Sequence, residues 1–365
     1  MVGQTGTVLR TPTLRSGGLK LSMNCSTAKA AIIKTHLPMW KVRFFMIKSS
    51  GVIALFLHVT IYYSLSEKIG CGLHMKTTVS YKKTSAFEIQ ADFYPTNRPH
   101  APVILYIHGG GFIWGSKADL SEELRNLYTD AGFAIFSIDY RLAPESHLTD
   151  ILDDVRDALQ WLVQEGREQF SVNPEQVAVV GSSAGGFLAL STGTFPIKPK
   201  AIVSFYGYGD LFSEWAKTPS VHYLQKDLVP EAIARTQVTS TIPTLGTVQE
   251  RFLLYLYCRQ TGNWIEEVTD RQTATNRSAL QLLSPITQID DTYPPTLFLH
   301  GTKDTDVPYE QSVFMRAALL QKSIPAKLIT IPNGEHVFEK DFHAPIVQNA
   351  LKQVIEFLRE YLKCS

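Results

Sequence analysis

Short runs of β-branched, aromatic and leucine residues recur down the chain, each closed by a glycine, a proline or a polar turn. They are Val103–His108, Phe133–Asp139, Gln176–Gly181, Ala201–Tyr206, Thr296–His300 and Ala326–Ile331. Continuous apolar runs this short suit strands buried on both faces, which requires helices on both sides of a mostly parallel sheet. Phe87–Tyr94 instead alternates apolar and polar residues, as an antiparallel edge strand does. Helical periodicity predicts helices over Leu120–Ala131, Leu148–Glu165, Ala184–Gly193, Glu310–Lys322 and Ala344–Leu362. In Leu148–Glu165, Ile151, Val155, Leu159, Leu162 and Val163 share one face; in Ala344–Leu362, Ile346, Ala350, Val354, Phe357 and Leu358 do. Strand and helix in alternation predict an α/β fold with a mostly parallel central sheet flanked by helices.

One stretch breaks this rhythm. Residues 209–284 separate two strands by more chain than a connecting loop uses. They carry a helical piece, Glu250–Arg259, and many polar residues, so they read as an inserted helical cap or lid. The expected organisation is an extension over 1–74 and one domain over 75–365, with the cap inserted at 209–284.

The extension has its own charge. Before the first acidic residue, Glu67, stand eight basic ones, a net of +8, against −7 for the rest of the chain. The whole-chain balance of +1 therefore gives no reason to expect a nucleic-acid partner. Within the extension, Gly51–Leu65 is apolar but shorter than the roughly 20 residues that span a bilayer. A bland extension is the favoured reading. A signal anchor associating with a membrane and an acid-poor transit peptide are the competing ones. Met46 and Met75 are alternative starts, and a cytoplasmic location is favoured over anchored, mitochondrial or secreted ones. With 44% hydrophobic and 19% charged residues the chain is globular, neither disordered nor polytopic. Cys25, Cys71, Cys258 and Cys364 match no zinc or redox spacing and are expected to be reduced thiols.

The chemistry sits at the ends of the apolar runs. Gly181-Ser182-Ser183-Ala184-Gly185-Gly186 follows one strand and opens a helix. A nucleophile on such a sharp turn needs small neighbours, because the backbone there is crowded, and Ser183 stands where its hydroxyl would project above the sheet. A glycine-rich turn without chemistry is the bland alternative. His108-Gly109-Gly110-Gly111-Phe112 follows another strand, and its glycines let backbone N–H groups converge, as a developing oxyanion requires. Past a late strand, Asp304 and Asp306 are both placed to support an imidazole, with Asp304 favoured. His336, in Gly334-Glu335-His336, follows the last strand and is the expected general base.

These motifs, together with Asp139-Tyr140-Arg141-Leu142-Ala143-Pro144-Glu145, resemble the hormone-sensitive-lipase-like branch of the α/β-hydrolases over about residues 77–363. The order Ser, Asp, His along the chain is also the one that fold uses. The resemblance implies Ser183 as nucleophile, Asp304 as acid, His336 as base, and the N–H groups of Gly110, Gly111 and Ala184 as oxyanion donors. It implies a serine hydrolase cleaving small to medium acyl esters, with no metal or organic cofactor. Two features depart from the branch: Ser182 stands where an Asp is common, and the acid loop HGTKDTDVP looks like that of more general α/β-hydrolases. An amidase, lactonase or acyltransferase, or a ligand-binding protein without turnover, therefore stays open. Phe112, Trp114, Phe187 and Tyr206 are expected near the mouth as an apolar acyl pocket or as plain core packing. Asp139 and Arg141 are expected to pair, and Pro144 to fix a turn. The cap stretch lacks a long apolar face, which argues against emulsified triglyceride.

Overall fold

The structure is a computed structural model, which describes residues 76–363. Its centre is an eight-stranded sheet: β1 (Thr77–Lys83), β2 (Glu88–Tyr94), β3 (Val103–Ile107), β4 (Ala134–Ile138), β5 (Val177–Ser182), β6 (Ala201–Phe205), β7 (Thr296–Gly301) and β8 (Ala326–Ile331). The strand order is β1-β2-β4-β3-β5-β6-β7-β8. β1 pairs antiparallel with β2, and β2 with β4, while β4 onward is parallel.

Burial follows from the runs. Every residue of β3, β4 and β6 is buried, as strands covered on both faces require. The sheet edges correct the expectation. β2 is antiparallel, and Ala91–Tyr94 are all buried despite the alternating sequence, but it is not the edge. That place belongs to β1, TTVSYKK, whose exposed and half-exposed polar residues hid it from an apolar-run search. β8 closes the other edge and is only partly buried, with Lys327 and Thr330 exposed, although its run looks like those of the central strands.

Helices α1 (Glu122–Asp130), α2 (Leu148–Phe170), α3 (Ala184–Thr192), α10 (Glu310–Gln321) and α11 (Pro345–Tyr361) cover the sheet, while α4 to α9 belong to the stretch between β6 and β7. Ile104, Val180 and Leu299 pack with Leu124 of α1 and Val354 and Leu358 of α11. Leu105, Val179 and Phe298, of opposite parity on the same strands, pack with Leu159 of α2, Leu188 of α3 and Met315 of α10. All nine residues of α3 are buried, which is why its sequence shows no polar face.

Residues 209–284 hold α4 (Glu214–Lys217), α5 (Glu231–Arg235), α6 (Val248–Thr261), α7 (Trp264–Val268), α8 (Arg271–Thr275) and α9 (Arg277–Leu283). A polar clamp ties them to the body. Arg251 of α6 donates to the carbonyls of Ile113 (2.6 Å) and Ala143 (2.8 Å) and to both carboxylate oxygens of Glu145 (3.0 and 2.6 Å). Gly115 and Gly246 exchange backbone hydrogen bonds beside it.

The expected Asp139–Arg141 pair does not form. Asp139 accepts from the Lys117 backbone N–H and ammonium, both at 2.7 Å. Arg141 turns to Asp154 of α2, with Nε at 2.7 Å and Nη2 at 2.8 Å. Each finds its partner on a different element, Asp139 on the turn before α1 and Arg141 on α2. No helix among the described residues is long and apolar enough to cross a membrane. The readings of the 1–74 extension, with Cys25, Cys71 and Cys364, fall outside the described residues. Cys258 is a free, buried thiol.

Candidate active site

The site lies where the parallel strands end at their carboxyl sides, the edge at which an α/β sheet gathers ligands. Ser183 joins β5 to α3 with φ +55° and ψ −121°, a conformation that side chains other than glycine avoid. Small neighbours make the turn feasible. A Cβ on Gly185 would stand 2.2 Å from the Ile107 carbonyl oxygen and 2.4 Å from that of His108. That close approach brings the glycine loop after β3 against the serine. A Cβ on Gly109 would lie 3.3 Å from Ser183 Cβ.

The serine meets two partners from elsewhere in the chain. His336 Nε2 is 3.0 Å from Ser183 Oγ, and His336 Nδ1 is 2.7 Å from Asp304 Oδ2. This decides between the two acids. Asp304 is fully enclosed, and its other oxygen accepts from the backbone N–H groups of Asp306 and Val307, both at 2.9 Å. Asp306 lies on the opposite side of the ring, its Oδ2 3.8 Å from His336 Nε2.

Electrostatics follow from those contacts. Burial alone would raise the Asp304 carboxyl, but hydrogen bonds from His300 and His336 and their charges hold it well below the usual carboxylate range. For His336 burial works to lower the imidazole. The hydrogen bond to Asp304 and the charges of Asp306, Asp304 and Glu339 outweigh it, so it sits above its ordinary value.

Gly110 and Gly111 follow Gly109 on the loop that packs against Ser183, and Ala184 follows the serine directly. Gly110 has φ +101° and Gly111 φ +60°, turning the strand end back on itself. Tyr140 holds the loop, its hydroxyl donating to the carbonyls of His108 (3.1 Å) and Gly109 (3.2 Å), with its ring stacked on His108. Ala184 opens α3, so its N–H lacks a helical acceptor.

The apolar candidates divide. Phe112 and Phe187 have no exposed surface. They meet edge to face and pack with Tyr208 and Trp264, so they line no open pocket. Core packing wins because the cap's Trp264 and the neighbouring Tyr208 enclose them. Tyr206 is also buried, but its ring lies 4.5 Å from that of His336. Trp114 is half-buried and meets Tyr255 of α6 edge to face at 4.8 Å.

Several site residues escaped the sequence reading. His300 sits behind the acid, Nε2 3.2 Å from Asp304 Oδ2 and 3.1 Å from the Val307 carbonyl, with Nδ1 2.7 Å from the Ser312 hydroxyl. Its HGTKD context was the available signal. Tyr255 reaches from the cap over Gly111 and donates to Asp306 Oδ1 at 2.7 Å. Glu339 accepts a hydrogen bond from the Tyr206 hydroxyl, and burial pushes its carboxyl up. Neither Tyr255 nor Glu339 belongs to a local motif. Among the described residues no group of three His, Cys, Asp or Glu side chains is arranged to hold a metal ion.

Residues 92–319 match the family model described as BD-FAE. An α/β-hydrolase superfamily protein from Enterococcus faecalis is 27% identical and superimposes with a TM-score of 0.63, covering 79% of this chain and 99% of that one. Native esterase 2 of Thermogutta terrifontis, 20% identical, shares the fold with a TM-score of 0.54 over 78% of this chain and 91% of its own. Among curated proteins, the non-reducing polyketide synthase adrD of Penicillium roqueforti is 28% identical over 78% of this chain. Preu6 of Preussia isomera, another such synthase, is 30% identical over 72% of it. In both cases the matching region is 14% of the synthase, so this chain corresponds to one segment of those proteins.

Proposed function

The chain belongs to the BD-FAE family of esterase-type α/β-hydrolases, and on that premise we propose that it is a serine hydrolase cleaving small to medium acyl esters through an acyl-enzyme on Ser183. The observation that carries this reading is the continuous contact from Ser183 Oγ through His336 to Asp304, at 3.0 and 2.7 Å.

His336 Nε2 takes the hydroxyl proton as Ser183 Oγ attacks the carbonyl carbon. Asp304, accepting from Nδ1–H, fixes the tautomer that leaves Nε2 free to accept and stabilises the imidazolium that forms. The N–H groups of Gly110, Gly111 and Ala184 receive the oxyanion. Its collapse breaks the bond to the leaving alcohol, which takes the proton from Nε2. Water then repeats the sequence: it gives a proton to Nε2, attacks the acyl carbon, and releases acid as Ser183 recovers its proton.

The matches to polyketide synthase segments favour a second substrate form, an acyl thioester. The same steps cleave it, with a thiol as leaving group. The test is hydrolysis of p-nitrophenyl acyl esters of increasing chain length, beside acyl thioesters of a small thiol, by the full chain and by Ser183→Ala. Turnover lost in the variant supports the reading, and the ratio of the two series ranks oxygen against sulfur esters. Equal rates in wild type and Ser183→Ala would overturn it.

A further inference from the structure

Asp306 has no part in the scheme above, yet it is the acid on the reacting side of the imidazole. Its Oδ2 stands 3.8 Å from His336 Nε2, the nitrogen that exchanges protons with Ser183. That is too long for a hydrogen bond, and in the resting site none is expected, since Nε2 is turned to the serine hydroxyl. The position matters once Nε2 has taken the proton. A charge then appears on the ring within ion-pair distance of a carboxylate whose side chain is only 12% exposed.

We propose that Asp306 is a second carboxylate acting on His336, held in place by the cap, which stabilises the imidazolium from its Nε2 side while Asp304 does so from Nδ1. The proposal rests on the serine-hydrolase reading of the site.

The cap holds it firmly. Tyr255 Oη donates to Asp306 Oδ1 at 2.7 Å, and the Tyr223 phenol also faces this carboxylate. Arg259 Nη2 donates to the Asp306 carbonyl at 3.2 Å, and its Nε stands 3.6 Å from Oδ1. Tyr255 and Arg259 approach Oδ1 and the backbone, while Oδ2 is the oxygen nearest His336 Nε2. The Arg259 charge, 3.6 Å from Oδ1, offsets part of the effect. The other groups facing His336 are Asp304 from the acid loop with His300 behind it, Ser183 from the elbow, Tyr206 from the end of β6, and Glu339 three residues on. Asp306 acts only on the charged form of the ring, so it strengthens the base and lowers the barrier rather than aiding ground-state binding.

The test reads the imidazole through the serine. The rate at which a fluorophosphonate labels Ser183 is followed against pH in the full chain. It rises with pH as His336 loses its proton and becomes a base. Removing a neighbouring negative charge weakens that base, so in Asp306→Asn the acid limb moves to lower pH by about half a unit to one unit. Asp306→Glu, which keeps the charge, brings the limb back toward wild type. Asp306→Ser serves as the neutral replacement if the Asn variant does not melt cooperatively. A limb that stays at the wild-type pH in the folded neutral variant overturns the proposal, even if labelling slows, because a mere cap anchor would give that result. Wild type that labels no faster than Ser183→Ala would instead sink the serine-hydrolase reading itself, so the two failures are distinguishable.

Discussion

Arg251→Ala is the perturbation whose cost follows most directly from the structure. The guanidinium is buried and makes its bonds to Ile113, Ala143 and Glu145 across more than 100 residues of sequence. Truncation leaves the Glu145 carboxylate, 4% exposed, with only the Thr239 backbone N–H at 2.8 Å and its hydroxyl at 3.3 Å. It also takes the donor from three carbonyls, those of Ile113, Ala143 and Gln237. Removing one partner of such a buried pair costs about 3–5 kcal/mol, most of it the stranded charge rather than the lost attraction. For a domain of this size that is a fall in Tm of roughly 5–8 °C. The assay is thermal or urea unfolding of the full chain, with Arg251→Ala, Glu145→Gln and the double variant side by side. The double variant should recover part of the loss, because no unpaired charge remains. A loss below about 1 kcal/mol for Arg251→Ala, or a double variant whose loss equals the sum of the singles, would refute the argument. Hydrolysis should suffer as well, since α6 also carries Tyr255 over Gly111.

The other predictions concern the site. Asp304→Asn should lower kcat by about 10³–10⁴-fold with little change in KM, because an amide cannot hold the Nδ1–H tautomer; steady-state kinetics check it. The wild-type kcat/KM should fall as pH drops through a limb above the ordinary imidazole value of 6.5, since His336 is raised and acts only when neutral; a pH profile shows this. Ser183→Gly should be inactive yet more stable than Ser183→Ala by about 1 kcal/mol, because only glycine relieves φ +55°; unfolding curves decide it. Gly185→Ala should yield little folded protein, with a methyl forced to 2.2 Å from a carbonyl oxygen, as circular dichroism and melting would reveal.

The local motifs of this chain carried much of the site. A serine between Gly181 and Gly185, a glycine run after a strand, and a histidine after the last strand each depend on a few adjacent residues obeying local backbone rules. Those rules are readable in one dimension, and so is the strand–helix alternation that predicts a parallel sheet. The partners of polar side chains are not. Asp139 found Lys117 rather than Arg141, and Arg251 found Glu145, because such pairings depend on which surfaces the folded layers bring together. Phe112 and Phe187 looked like pocket walls until the cap's Trp264 and the neighbouring Tyr208 enclosed them. Between Asp304 and Asp306, two residues apart, the sequence favoured Asp304 but left both open. Only the position of the His336 ring gave one a buried hydrogen bond at Nδ1 and left the other facing Nε2. Sequence determines which chemical groups the strand ends carry, since that is local. Tertiary structure alone decides which of them share a charge, because Coulomb and hydrogen-bond energies depend on distances that the fold sets.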